Sequence, residues 1–235
     1  MASKKILVVL TSCDKMEADG VVKPTGWFLP EFSHPYDVLT KAGYEITVAS
    51  PAGGKAPLDP KSIEMFKDDA SSKSFLASQT KLWEQTAKLS DVAANNAAQT
   101  FDAIFYPGGH GPMFDLAVDA TSQKLIADFY AAGKPVAAVC HGPVALVGVK
   151  LPGGGDTPLL KGKTATGFSN AEEEIMRLVK FMPELLEDAM KKAGAEFVKA
   201  DEPWGEKVVV DGNLITGQNP ASAKGVGEAI VKLLA

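Results

Sequence analysis

Between Pro135 and Val147 the chain reads Pro-Val-Ala-Ala-Val-Cys-His-Gly-Pro-Val-Ala-Leu-Val, and few folds accept that order. The length and β-branched content of Pro135–Val139 suit a fully buried strand. A thiol and an imidazole then stand side by side, followed at once by Gly142-Pro143 and a second apolar run. Strand, nucleophile, sharp turn and helix make a nucleophile elbow, with cysteine in the place that hydrolases give to serine. An elbow sets its side chain at the carboxyl end of the strand, facing the free N–H groups and positive dipole end of the next helix. Both features predict a lowered thiol pKa and a larger share of the reactive thiolate.

The rest of the chain supplies a matching frame. Residues 5–12 form a continuous apolar strand of the kind covered on both faces of a parallel sheet, and after Cys13 a loop rich in Asp, Gly and Lys runs to Pro24-Thr25-Gly26. The spacing from Trp27 to Leu39 predicts a helix with Pro35 in its first turn and Gly43 just past its end. A second strand follows at Tyr44–Ser50, which completes a βαβ unit. Residues 76–89 have helical spacing, 103–106 read as a strand, and 117–132 as a helix. After the elbow come a loop at 151–156, a short strand at 163–168 and a helix opening at Ser169 or Asn170. Further helices are expected at 183–193 and 221–234. Strands are expected at 196–198, 207–210 and 214–216, the last two joined by the hairpin signal Asp211-Gly212. The expected fold class is α/β: one domain over residues 1–235, a doubly wound, mostly parallel, flavodoxin-like sheet with helices on both faces and a small C-terminal β-hairpin.

Composition narrows the partners. A net charge of −5 with no basic run argues against nucleic acid and against anionic membrane surfaces. Two cysteines in 235 residues make no disulfide framework, which favours a reducing compartment. The apolar run at Ile6–Leu10 is too short to span a membrane. The expected location is the cytoplasm, with the nucleus as a further compartment.

In open parallel sheets ligands bind at the carboxyl ends of the strands. That edge would carry Cys13, the loop with Glu31, the Gly108–Gly111 loop with His110, the Cys140-His141 elbow and the acids at 172–174. A cysteine nucleophile needs a base, a group that orients the base, and donors for a developing oxyanion. His141 fits the first role and an acid of the 172–174 helix the second. The N–H groups of Gly109 and His141 fit the third. The same acids also suit a plain dipole-complementing helix start, and His110 equally suits a turn-shaping role. His34, before a proline, reads as a packing residue, and Cys13 as a small strand-end hydrophobe. Three scattered histidines without ligand spacing predict no metal site.

Taken together, these residues resemble the ThiJ/PfpI superfamily, related in fold to class I glutamine amidotransferases, and within it the branch of glutathione-independent glyoxalase III enzymes and heat-shock chaperones. The likeness is carried by Thr11-Ser12, Thr25-Gly26 with Glu31 and His34-Pro35, Gly109-His110-Gly111 with Phe114-Asp115, Ala137–Pro143, Thr166-Gly167-Phe168 and Thr216–Ala223. The resemblance implies Cys140 as nucleophile, His141 as its partner and Glu31 as a buried acid beside the thiol. It implies Glu173 as the triad acid, with Glu172 the near alternative. Gly109, His110 and Gly111 would line the substrate and oxyanion site. The implied activity is D-lactate dehydratase (a lyase), converting a small 2-oxoaldehyde, methylglyoxal, to lactate in a homodimer without glutathione, metal or other cofactor. A holdase chaperone, a cysteine hydrolase or deglycase, and a redox sensor are the alternative readings. Trp27, where the resemblance expects a small aliphatic side chain, would narrow or reshape the pocket.

Overall fold

The computed structural model describes residues 3–153 and 157–235. Its strands are β1 (Lys5–Val9), β2 (Lys15–Ala18), β3 (Val21–Pro24), β4 (Glu45–Ser50), β5 (Ala87–Lys88), β6 (Ala103–Tyr106), β7 (Val136–Val139), β8 (Thr164–Ala165), β9 (Glu196–Phe197), β10 (Val208–Asp211) and β11 (Leu214–Gly217). Seven form one sheet in the order β10-β11-β7-β6-β1-β4-β5. All its pairings are parallel except β10 with β11, a hairpin that turns at Gly212-Asn213, one residue past the expected Asp211-Gly212, and forms one edge of this sheet. The central strands β1, β6 and β7 are apolar because both faces are covered; Ile6–Val9, Ala103–Tyr106 and Val136–Val139 are fully buried.

The helices are α1 (Leu29–Lys41), α2 (Pro60–Met65), α3 (Ala70–Ser78), α4 (Thr80–Glu84), α5 (Leu89–Ala94), α6 (Ala97–Thr100), α7 (Ala120–Ala131), α8 (Val144–Val147), α9 (Asn170–Met176), α10 (Leu186–Lys192) and α11 (Ala223–Leu234). They flank the sheet in groups: α1 packs on α11, while α7 packs on α5, α6 and α8. Among the described residues no helix is long and apolar enough to cross a membrane.

The chain steps from β1 outward to β4, then returns to the other side of β1 for β6 and β7. The switch point therefore lies between β1 and β6, and the carboxyl ends of β1, β6 and β7 open onto one crevice. That is the α/β architecture expected.

Several boundaries differ. The first strand stops at Val9, and residues 15–24, read as loop, form a separate β2–β3 hairpin around Asp19-Gly20. α1 starts at Leu29 with Pro30 in its first turn, leaving Pro35 inside the helix. The segment 76–89 is not one helix: the Asp69 carboxylate caps Ser72 N–H at 2.8 Å and starts α3 early, and Gln79 separates α3 from α4. Residues 87–88 then add a short strand beside β4. Of the expected 151–156 loop, residues 154–156 lie outside the described residues.

Candidate active site

β7 runs directly into Cys140, whose φ of +60° is left-handed, a conformation that side chains rarely adopt. Two backbone hydrogen bonds hold it there. Cys140 N–H donates to the Gly217 carbonyl at 2.9 Å, and Phe168 N–H donates to the Cys140 carbonyl at 2.9 Å. Glycine is needed two residues on, because a Cβ at Gly142 would collide with the Tyr106 carbonyl. The elbow is thus built by β7, β11 and the Thr166–Phe168 segment together.

The sulfur lies 3.5 Å from His141 Nδ1. The opposite nitrogen, Nε2, donates to Glu173 Oε2 at 2.7 Å, which leaves Nδ1 free to accept the thiol proton. Glu173 Oε1 takes a second imidazole, His110 Nε2, at 2.9 Å. The two rings lie 4.2 Å apart, and Phe168 stacks on His141 at 4.4 Å. Burial alone would raise Glu173, but the two histidines outweigh it and hold the carboxyl well below the usual carboxylate range. Burial and the neighbouring His110 push His141 below its ordinary value despite Glu173. A neutral imidazole at neutral pH is the form a general base needs.

The adjacent acid is placed quite differently. Glu172 closes a capping box with Ser169 at the start of α9. It also accepts from Trp204 N–H at 2.9 Å, Asn219 Nδ2 at 2.8 Å and Gln218 Nε2 at 3.1 Å. Every contact of its carboxylate is structural, so the acid on His141 is Glu173. Glu174 points to solvent.

Glu31, fully buried on α1, accepts from Gly108 N–H at 2.8 Å through Oε2. Its Oε1 has no conventional hydrogen-bond partner, and the carboxyl group's side-chain neighbour is the Cys140 sulfur. Burial pushes this carboxyl up to about 8, so at neutral pH it is an acid with a proton to donate. Gly108 permits that approach, since a Cβ there would meet both Glu31 Oε2 and His141 N.

The expected lowering of the thiol pKa is not what the surroundings produce. Burial pushes Cys140 up, a charged Glu31 would push it further, and only Gly109 N–H pulls it down. α8, with four residues, adds little dipole. Thiolate must then arise by proton transfer to His141.

A cavity of about 380 Å³ opens over the sulfur, lined by Gly109, His110, Cys140 and His141 at its base and by Phe28, Met65, Phe66, Phe168, Met176 and Trp204 on its walls. His34 reaches the rim and pairs with Asp69 at 3.0 Å. Trp27 does not narrow the pocket: it is fully buried in an aromatic cluster with Phe32, Phe75 and Trp83. Gly111 packs against Thr11 rather than on the cavity. Cys13 is not part of the site; its Sγ donates to the Lys15 carbonyl at 3.1 Å.

Sequence reasoning missed the second clasp on Glu173, because His110 lies 63 residues away. It also missed most of the apolar walls; Phe168, inside the Thr166-Gly167-Phe168 motif, was the signal available. Two of the three histidines do converge. Ligand atoms of His110, His141 and Glu173 lie within 4.8 Å of one another, the set among the described residues that could hold a cation. Each imidazole already occupies one oxygen of the carboxylate.

Residues 21–233 match the model of the DJ-1/PfpI family. The chain is 34% identical over 229 residues to the glutathione-independent glyoxalase HSP31 of Saccharomyces cerevisiae, covering 95% of this chain and 94% of that one. It superposes on the crystal structure of glyoxalase III from Candida albicans with a TM-score of 0.86 and 31% identity, over 98% and 97% of the two chains. It also superposes on the Rapid Encystment Protein 24 kDa of Francisella tularensis with a TM-score of 0.90 and 35% identity, over 99% of each.

Proposed function

We propose that this chain, which belongs to the DJ-1/PfpI family, is a glutathione-independent glyoxalase that converts 2-oxoaldehydes to 2-hydroxy acids through a Cys140 thiolate. The observation that carries the reading is the relay from Cys140 Sγ to His141 Nδ1 at 3.5 Å and from His141 Nε2 to Glu173 at 2.7 Å, at the base of a cavity. The relatives named as glyoxalases supply the reaction class.

The chemistry follows from the protons available. His141 Nδ1 takes the thiol proton as sulfur attacks the aldehyde carbon of methylglyoxal. The oxygen takes up a proton, giving a hemithioacetal. A proton then leaves the former aldehyde carbon and returns to the neighbouring carbon through an enediol, with His141 as carrier. The product of that shift is a lactoyl thioester on Cys140. Water cleaves the thioester to lactate and restores the thiol, so methylglyoxal plus water gives lactate. Glu173 stabilises the imidazolium each time it forms, and Gly109 N–H and the Glu31 acid proton lie close enough to the sulfur to bear on the developing charges.

The test is lactate formation from methylglyoxal with glutathione absent. Wild type is expected to turn over and Cys140→Ala to give no lactate above background. Equal rates from the two, or a folded wild type with no turnover, would overturn the reading.

A further inference from the structure

The cavity is much larger than a three-carbon aldehyde requires. At about 380 Å³ it lies within the range of roughly 300–1,000 Å³ that accommodates drug-sized ligands. Its chemistry is divided. The polar groups, Glu31, His110, Cys140 and His141, gather at the base, while the walls are four aromatic rings and two methionines. The rings form two edge-to-face pairs, Phe28 with Phe66 at 5.9 Å and Phe168 with Trp204 at 5.5 Å. Phe168 also stacks on His141, so the apolar wall begins beside the reacting group.

The rings and thioethers that make the walls carry no charge. At the rim, Lys224 is paired with Glu228 at 3.1 Å and His34 with Asp69 at 3.0 Å. An anionic tail laid along the walls would lose its hydration without gaining a partner there. A methyl group attached to the reacting dicarbonyl would leave most of the aromatic wall against water. A flat apolar substituent would cover it and displace that water. Thioether side chains adapt to varied apolar shapes, which suits a range of such groups.

On the premise of the glyoxalase reading, we propose that the preferred substrates are uncharged 2-oxoaldehydes bearing a bulky apolar or aromatic substituent, with methylglyoxal the smallest member of the class. Trp204 and Met65 are specificity-determining residues in this scheme, because they extend the wall away from the sulfur and touch the substituent rather than the dicarbonyl.

The experiment compares kcat/KM for phenylglyoxal and methylglyoxal in wild type and in Trp204→Ala, with lactate and mandelate as products. Wild type is expected to favour phenylglyoxal by about ten-fold or more, the discrimination that one methylene of apolar contact already gives, and chiefly through KM. Trp204→Ala is expected to cut that ratio several-fold. Because intrinsic aldehyde reactivity is the same for both proteins, the change in ratio isolates the wall. Acetophenone, which has no aldehyde to attack, is expected to compete with methylglyoxal where acetone does not. A wild-type ratio of one or less, or a high ratio unchanged in Trp204→Ala, overturns the inference and leaves the glyoxalase reading standing. No turnover of either aldehyde overturns both.

Discussion

The molecule carries two cysteines on the same edge of its sheet, and only one of them is equipped to react. Cys13 lies in the loop after β1 and Cys140 directly follows β7, two parallel strands that flank β6. Cys13 is half-buried; its N–H donates to the Thr11 hydroxyl at 2.9 Å and its thiol to the Lys15 carbonyl at 3.1 Å. Cys140 is buried, turned by its positive φ into a cavity, and surrounded by an imidazole, a carboxylic acid and a backbone N–H. Burial raises both thiols above their ordinary value. Position on that edge and a raised pKa are therefore shared. What differs is a proton acceptor within reach: His141, next in the chain, held in its working tautomer by Glu173 from a distant helix.

The comparison can be sharpened by removing that equipment piece by piece. Glu173→Gln leaves His141 without the acceptor that fixes its tautomer, and kcat for methylglyoxal is expected to fall about 10²- to 10⁴-fold, the range for a general base put out of action. A fall of less than two-fold would mean that Glu173 is as incidental to turnover as the contacts of Cys13. Glu31→Gln should cost about 10- to 100-fold in kcat/KM, the size of one hydrogen bond to a charged group, read from the same assay. Its stability should move the other way. The Glu31 carboxyl titrates near 8 in the folded chain and near 4.5 ordinarily. Between those values the unfolded chain releases a proton that the folded chain keeps, so wild type loses stability as pH rises from 4.5 to 8 and no further above. Melting curves of Glu31→Gln should gain on wild type across that window and run parallel beyond it; a constant gap would show that Glu31 does not titrate there. The smallest effect belongs to Cys13→Ala, with lactate formation within two-fold of wild type and stability within about 0.5 kcal/mol. A large loss there would break the contrast outright.

How much of this could be seen in the sequence differs by kind of contact. The sheet was legible because its central strands are unmixed apolar runs, and the elbow because Val139-Cys140-His141-Gly142 compresses strand, nucleophile and turn into adjacent residues. Asp211-Gly212 announces the C-terminal hairpin, and Asp19-Gly20 carries the same signal inside a stretch whose Asp, Gly and Lys content reads as loop. The flanking Lys15–Ala18 and Val21–Pro24 are only four residues each and bury Met16 alone, so their alternation is too short to announce strands. Glu172 and Glu173 were not separable by sequence, because one step along a helix rotates a side chain by about 100°. Only the fold shows that the first faces Trp204 and Asn219 and the second the two histidines. Trp204 had no local signal at all. It sits at a φ of +67° in a loop whose placement depends on Glu172, so its part in the cavity is a property of the assembled chain.

The two hydrogen bonds that clamp the Cys140 backbone have a kinetic meaning. With its amide on Gly217 and its carbonyl on Phe168, the residue keeps only the rotation of one short side chain. The entropy of aiming the sulfur is lost once, when the chain folds, and not again at each encounter with an aldehyde. A nucleophile held this way cannot follow a misplaced carbonyl. Approach geometry becomes a filter, and an aldehyde must bring its carbon to a fixed point in order to react.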